Sequence, residues 1–159
     1  MIPRVGIGFD VHPVSPDPTR RLVLGGVPLP GRGLEGHSDA DVVAHAVAEA
    51  LLGAAGLGDL GSRFPASDPA YAGADSMMLL AEVVAAVREG HEIGNVDVTV
   101  VADEPRLAPH RAEMQVRLSE VVGAPVGVKP KAAEGLGTLG RREGIACFAV
   151  AVVATRVPR

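Results

Sequence analysis

Two side chains of metal-ligand type, Asp10 and His12, stand two residues apart near the start of the chain. They fall where Val5, Ile7, Phe9 and Val11 alternate with Gly6, Gly8, Asp10 and His12, the period of a half-buried strand. On such a strand both side chains project from one face, with Val5 to Val11 expected to pack behind. A carboxylate and an imidazole converging this way make half of a tetrahedral metal site. His45 offers a third ligand from a helix, and Asp41 lies one turn earlier on the same face. Asp, His and His with an open fourth position is the donor set of a catalytic zinc centre. Alone, Asp-x-His is a weak signal, because most such pairs are solvated residues at a strand end.

Three further groups carry candidate chemistry. His37, Ser38 and Asp39 sit at a helix entrance, where exposed amides and the positive helix end favour an anion; the simpler reading is a plain cap with an exposed His. Gly58-Asp59-Leu60-Gly61, with Phe64-Pro65 and Asp68-Pro69, puts carboxylates in a long loop, suited either to polyol hydroxyls or to ordinary turn chemistry. Glu134 opens a Gly-rich segment after Lys129 and Lys131, with Arg141 and Arg142 behind it. A carboxylate beside cations and glycines suits a magnesium-diphosphate site, and equally a solvated hairpin loop. The chain has no Ser/His/Asp triad, Walker loop, Rossmann fingerprint or Cys-metal spacing.

The elements that must position these groups follow from periodicity. After the first strand, Arg21 to Val27 reads as a second. Ser38 and Asp41 form an S-x-x-D box in which Ser38 is expected to cap a helix running through Val42, Ala46, Leu51 and Leu52 to the glycines at 53 and 56. Gly56 to Ala74 is a long irregular segment, a type that is often functional. Ser76 opens a second helix to Gly90. Asn95 to Val100 alternates as a strand, Ala108 to Val122 is a third helix, Val126 to Lys131 is a short strand, and Ile145 to Thr155 is a terminal apolar strand. The order predicts an α/β fold of the α+β type: a mixed sheet with helices on one face. One helical layer leaves the other face of the apolar last strand in need of a neighbouring subunit.

Composition narrows the partners. The 159 residues fit one domain spanning the chain, 1–159. A net charge of -4 argues against nucleic acid, since no basic surplus exists to displace counterions. No apolar run approaches the ~20 residues of a membrane span, and Met1 to Asp10 reaches polar residues and glycines too quickly to read as a signal peptide. Aromatics are only 3% and Trp is absent, so Ala, Val and Leu must fill the core. The single Cys147 excludes an intrachain disulfide and suits a reducing, cytoplasmic setting; in an apolar strand it reads as a core residue.

Several strings become specific as an ordered set: Gly8-Phe9-Asp10-Val11-His12, Leu24-Gly25-Gly26-Val27-Pro28, His37-Ser38-Asp39-x-Asp41-x-x-x-His45, Gly58-Asp59-Leu60-Gly61, Gly94-Asn95-Val96-Asp97-Val98, Pro105-x-x-x-Pro109-His110 and Gly140-Arg141-x-Glu143-Gly144-Ile145-Ala146. Together they resemble the 2-C-methyl-D-erythritol 2,4-cyclodiphosphate synthases over nearly the whole chain. The resemblance implies a homotrimer with active sites between adjacent subunits. It implies one Zn2+ per subunit on Asp10, His12 and His45, and Mg2+ or Mn2+ on Glu134 bridging the substrate diphosphate. It places His37, Lys131 and Ala132 at the reacting phosphates. Ser38, with His37, would position the erythritol phosphate; Asp59, Leu60 and Gly61 would hold the ligand hydroxyls, with the loop from Phe64 to Asp68 closing over them, and Ala102, Pro105, Arg106 and Leu107 would cradle the cytosine. Ala133 and Arg141 complete the implied substrate contacts. The implied reaction closes a ring on a cytidine diphosphate substrate and releases CMP, in the non-mevalonate route to isoprenoid precursors.

Four positions depart from the family pattern. Ala132 and Ala133 stand in a run that is usually threonine-rich, leaving Lys131 as a cation where hydroxyls are expected. Ala66 replaces a common aspartate, with Asp68 nearby, and Thr138 replaces an aromatic that often lines the central cavity of the trimer. Two other readings therefore stand beside the synthase: a diverged paralogue acting on another CDP conjugate, and a non-catalytic trimer binding nucleotide or isoprenoid diphosphate.

Overall fold

The computed structural model describes residues 2–156. Strand β1 (Pro3–Pro13) is followed by a hairpin of β2 (Leu22–Leu24) and β3 (Val27–Leu29), then helix α1 (Val42–Ala55) and the short α2 (Leu60–Arg63). A 3-10 turn (Pro69–Tyr71) leads to α3 (Ser76–Gly90), β4 (His91–Val101), a second 3-10 turn (Ala108–His110) and α4 (Arg111–Val122). The chain ends with β5 (Val126–Lys131), the one-turn α5 (Gly137–Gly140) and β6 (Gly144–Thr155).

The main sheet runs β1-β6-β4-β5, antiparallel except for the parallel β4/β5 pair. Helices α1, α3 and α4 cover one face, as the element order predicted. Along β6 the side chains of Cys147, Ala149, Ala151 and Val153 are buried under them, while Phe148 and Val150 point away and are exposed.

The first strand corrects a sequence expectation. Val5, Ile7 and Phe9 are 66%, 70% and 51% exposed, and Val11 is exposed too, so the apolar side of β1 does not pack behind the metal-ligand side. Gly6 and Gly8 are the buried positions. A Cβ on Gly6 would lie 2.1 Å from the Ala50 carbonyl oxygen, and one on Gly8 2.0 Å from that of Ala46. Only glycine allows α1 to rest its backbone directly on the strand. Helix α1 is accordingly buried on every side, between the sheet and α3, and is built mainly from Ala, Val and Leu.

Two local assignments also change. The segment Arg21 to Val27 is not one strand. Gly25 and Gly26, with φ of 57° and 74°, reverse the chain between β2 and β3, a turn of the kind that favours glycine at both central positions. Ser38 does not cap α1. Asp41 does, accepting from the amides of Val43 (3.1 Å) and Ala44 (3.0 Å). The left-handed Ala40 (φ 58°) turns the chain between them, and the Ser38 hydroxyl lies instead 3.2 Å from His45 Nε2. Asp41 also accepts from the Gly25 and Gly26 amides at 2.8 and 2.7 Å, tying the hairpin to the helix start. Burial outweighs these bonds and pushes its carboxyl above the ordinary carboxylate value.

Candidate active site

Asp10 and His12 continue the glycine face of β1 past the point where α1 rests on it. The first turn of α1 therefore stands opposite them and delivers His45. Asp10 Oδ2 lies 2.8 Å from His12 Nε2 and 3.0 Å from His45 Nδ1, and the two nitrogens are 3.2 Å apart. Ligand atoms around a tetrahedral zinc are separated by roughly 3.3 Å, from bond lengths near 2.0–2.1 Å. Two imidazoles and a carboxylate at this spacing fit such an ion, with a fourth direction open to the adjoining cavity. Asp41, a turn before His45, takes no part, since its oxygens are used by four amides.

The three groups perturb one another. Burial alone would raise the Asp10 carboxyl; hydrogen bonds with His12 and His45 and their charges outweigh it and bring Asp10 to about 2. Burial alone would lower His12, but its contacts with Asp10 and the Glu35 carbonyl leave it raised above 6.5. His12 donates from Nδ1 to the Glu35 carbonyl at 2.8 Å, which leaves the Nε2 lone pair facing Asp10 and His45. Glu35 is held by the Ser15 hydroxyl at 2.7 Å, and Arg20 braces the same loop through the carbonyls of Gly36 and Ser38.

A cavity of ≈ 340 Å3 opens beside these groups and is lined also by His37, Ser38, Leu60, Gly61, Phe64 and Ala66. The long loop thus does converge on the site. His37 Nε2 donates to the Asp68 carbonyl at 2.8 Å, and the Phe64 ring meets Tyr71 edge-on at 5.1 Å, fixing the loop over the cavity. The two loop carboxylates serve local structure instead: Asp59 caps α2 through the Ser62 amide (2.7 Å), and Asp68 caps the 3-10 turn through the Ala70 amide (2.9 Å). The Ser62 amide and hydroxyl hold the Asp59 carboxyl below its usual value. Glu49, which sequence reasoning missed, lines the cavity and accepts from the Leu60 amide at 2.7 Å. Its place one turn after His45 on α1 was the available signal.

The remaining expected residues gather elsewhere. Ala102, Arg106, Leu107, Lys131 and Ala132 line a second cavity of ≈ 240 Å3 that shares no lining residue with the first. Pro105 lines a third, with Arg106 and Arg142. The amides of Ala133 and Gly135 both donate to the Asp103 carboxylate, another residue sequence reasoning passed over. Glu134 is exposed, with φ 56°, and has no hydrogen bond or ion pair among the described residues. Arg141 pairs with Glu143 on the surface (3.2 Å). Thr138 lines a shallow cavity with Val11 and His12. Cys147 is in the core, as expected, and burial pushes its thiol up.

Three donors converging at the edge of a helix-covered sheet, beside a cavity lined by both polar and apolar side chains, define an α/β protein with a candidate metal-binding site. The YgbB family model matches residues 3–154, and the chain belongs to that family. It is 53% identical over 158 residues to the 2-C-methyl-D-erythritol 2,4-cyclodiphosphate synthase of Cupriavidus metallidurans, covering 96% of this chain and 93% of that one. It is 51% identical to the synthase of the same name from Symbiobacterium thermophilum, covering 96% and 99%. Among solved structures it superposes on the bifunctional IspDF of Campylobacter jejuni with a TM-score of 0.92 at 38% identity, over 98% of this chain and 43% of that one. The CDP complex of Plasmodium falciparum IspF matches with a TM-score of 0.84 at 30% identity, over 98% and 97%.

Proposed function

We propose that this chain converts 4-diphosphocytidyl-2-C-methyl-D-erythritol 2-phosphate to 2-C-methyl-D-erythritol 2,4-cyclodiphosphate. An oxygen of the 2-phosphate attacks the β-phosphorus, the bond from that phosphorus to the bridging oxygen breaks, and CMP leaves with the oxygen. The observation that carries this reading is the convergence of Asp10, His12 and His45 beside the cavity of His37 and Ser38, in a chain whose full-length relatives bear the synthase name.

No side-chain nucleophile is needed. The work of the protein is to fold a flexible polyanion so that oxygen and phosphorus stand in line, which supplies roughly 7–11 kcal/mol of barrier lowering in well-oriented systems. His37 and Ser38 hold the 2-phosphate end, with Leu60, Gly61 and Phe64 closing over the methylerythritol and Asp59 and Asp68 shaping that loop. Ala102, Pro105, Arg106 and Leu107 take the cytosine, and Lys131, Ala132, Ala133 and Arg141 flank the phosphates. Zn2+ on Asp10, His12 and His45, and Mg2+ or Mn2+ on Glu134, would neutralise phosphate charge as the bonds exchange.

The reading includes a homotrimer with the site completed across subunits. Two features support it: most of the residues proposed for the cytosine line a cavity separate from that of Asp10, His12 and His45, and the sheet face of Val5, Ile7, Phe9 and Val11 is apolar and uncovered in one chain. Cytoplasmic work is consistent with a free thiol at Cys147 and with the absence, among the described residues, of any helix long and apolar enough to cross a membrane.

Zinc content, CMP release from the named substrate with zinc and magnesium, and mass by light scattering, all on one sample, test the whole reading. Stoichiometric zinc, CMP release and a mass three times that of the chain are expected. Zinc binding without CMP release from this substrate would leave the metal centre standing and remove the synthase.

A further inference from the structure

We infer that Ser76 and Asp39 set the tautomer of His45 and so aim its Nδ1 lone pair at the ion. The inference rests on reading Asp10, His12 and His45 as a metal centre, and it concerns two residues that are not ligands.

His45 presents Nδ1 to the centre, so Nε2 points away from it. That nitrogen lies 2.8 Å from the hydroxyl of Ser76, which is 1% exposed. The Ser76 hydroxyl is in turn bonded to the Asp39 carboxylate. Asp39 also accepts from the backbone amides of Ser76 (3.2 Å) and Asp41 (3.1 Å), which fixes it between the starts of α1 and α3. An ionised carboxylate only accepts, and a hydroxyl has a single proton. Asp39 therefore takes the Ser76 proton, and the Ser76 oxygen turns its lone pairs to His45. Nε2 must then carry a proton, so that Nδ1, which faces Asp10 Oδ2 at 3.0 Å in the metal-free chain, is bare once the ion takes its place between them. Reverse the hydroxyl and the proton moves to Nδ1, where it blocks the ligand position.

The two histidines thus ligate through opposite nitrogens, each fixed by an acceptor behind it. The Glu35 carbonyl holds Nδ1–H of His12 at 2.8 Å, and the Ser76 oxygen holds Nε2–H of His45. Ser38 is the competing acceptor, with its hydroxyl 3.2 Å from Nε2. It is farther away, already accepts from the Ala40 amide at 3.2 Å, and lacks a carboxylate to commit its proton. Its hydroxyl lies 3.3 Å from the Ser76 oxygen and, with the Ser76 proton committed to Asp39, donates to the second lone pair there.

The test measures zinc affinity of the full chain by competition with a chromophoric chelator, together with the 15N shifts of His45 in the metal-free protein. Wild-type protein is expected to bind zinc and to show the Nε2–H form. Ser76→Ala is expected to lose ~10–100-fold in zinc affinity, the usual effect of removing an outer partner, and to show mixed tautomers, with unchanged circular dichroism. Ser76→Thr, which keeps the hydroxyl, is expected to restore both. Asp39→Asn still accepts the hydroxyl proton but lacks the charge, and is expected to fall between wild type and Ser76→Ala. Unchanged affinity and an unchanged Nε2–H signature in Ser76→Ala would overturn the inference, as would failure of Ser76→Thr to recover either. Wild-type protein that binds no zinc would instead remove the metal reading beneath it.

Discussion

The β1/α1 end of the molecule and the segment from Ala102 to Glu134 both hold expected site residues but are built differently. At the first end Asp10, His12 and His45 meet within 3.2 Å of one another, and hydrogen bonds reach outward from both histidines to Glu35 and Ser76. At the second, Lys131, Ala132 and Glu134 are exposed, and the nearby loop amides turn inward to Asp103. The three candidate ligands meet within one chain because burial and close backbone packing hold them. The residues proposed for the phosphates and the cytosine form an open surface, whose counterpart in the proposed trimer comes from the ligand or from another copy.

Substitutions separate the two ends, and the largest effect is expected at the first. His45→Ala removes a proposed ligand of an ion that would stabilise phosphate charge by several kcal/mol, so CMP release should fall roughly 10²–10³-fold. Zinc content should fall with it while the fold persists. A variant that keeps its zinc would show that the centre lies elsewhere.

Gly8→Ala comes next. Its Cβ would lie 2.0 Å from the Ala46 carbonyl oxygen, which is backbone and cannot rotate away. Displacing α1 should cost about 3 kcal/mol, the upper end for overpacking, and weaken zinc binding by moving His45. Denaturant midpoints measure the first and chelator competition the second; a neutral result would mean that helix and strand are not locked together.

The third effect is a change of sign with pH. In the metal-free chain His12 titrates above 6.5, so its contribution to stability is full below 6.5 and fades as pH rises through the folded value. The Asp10 contribution is present above 3.8 and fades as pH falls through about 2. The pair therefore stabilises the metal-free chain most between 3.8 and 6.5. Zinc needs neutral imidazoles, so the loaded protein should lose stability as pH falls through the same upper region. Melting curves with zinc and with chelator across that range should slope in opposite directions; parallel slopes would argue against His12 as a ligand.

The smallest effect is expected at the open end. Ala132→Thr adds one hydroxyl beside Lys131. A hydrogen bond worth about 0.5–1.5 kcal/mol corresponds to a gain in turnover of roughly 2–10-fold, with zinc affinity unchanged. No gain would show that backbone amides and Lys131 already suffice.

Much of the fold was legible from periodicity. Helix α3, the strand pair β4 and β5 and the terminal β6 fall close to where the sequence placed them, because long apolar patterns survive any tertiary context. The face of β1 was not, since alternation gives two faces without saying which is inward. Gly6 and Gly8 were the missed signal: in a strand, paired glycines mark a close backbone approach. The Ser38 cap failed for a related reason, as a four-residue pattern cannot reveal that Ala40 turns left-handed between its ends. The Gly25-Gly26 pair was also readable as a hairpin turn.

By itself the sequence determined the layer type, the ordered family strings and the three ligand types, because these depend on residue identity and short spacing. Tertiary structure alone decided that Asp41 ties a hairpin to a helix rather than facing the metal, and that Ser76 stands behind His45 from 31 residues away. Hydrogen-bond partners that distant in the chain are chosen by how α1 and α3 pack, and no local pattern encodes the result.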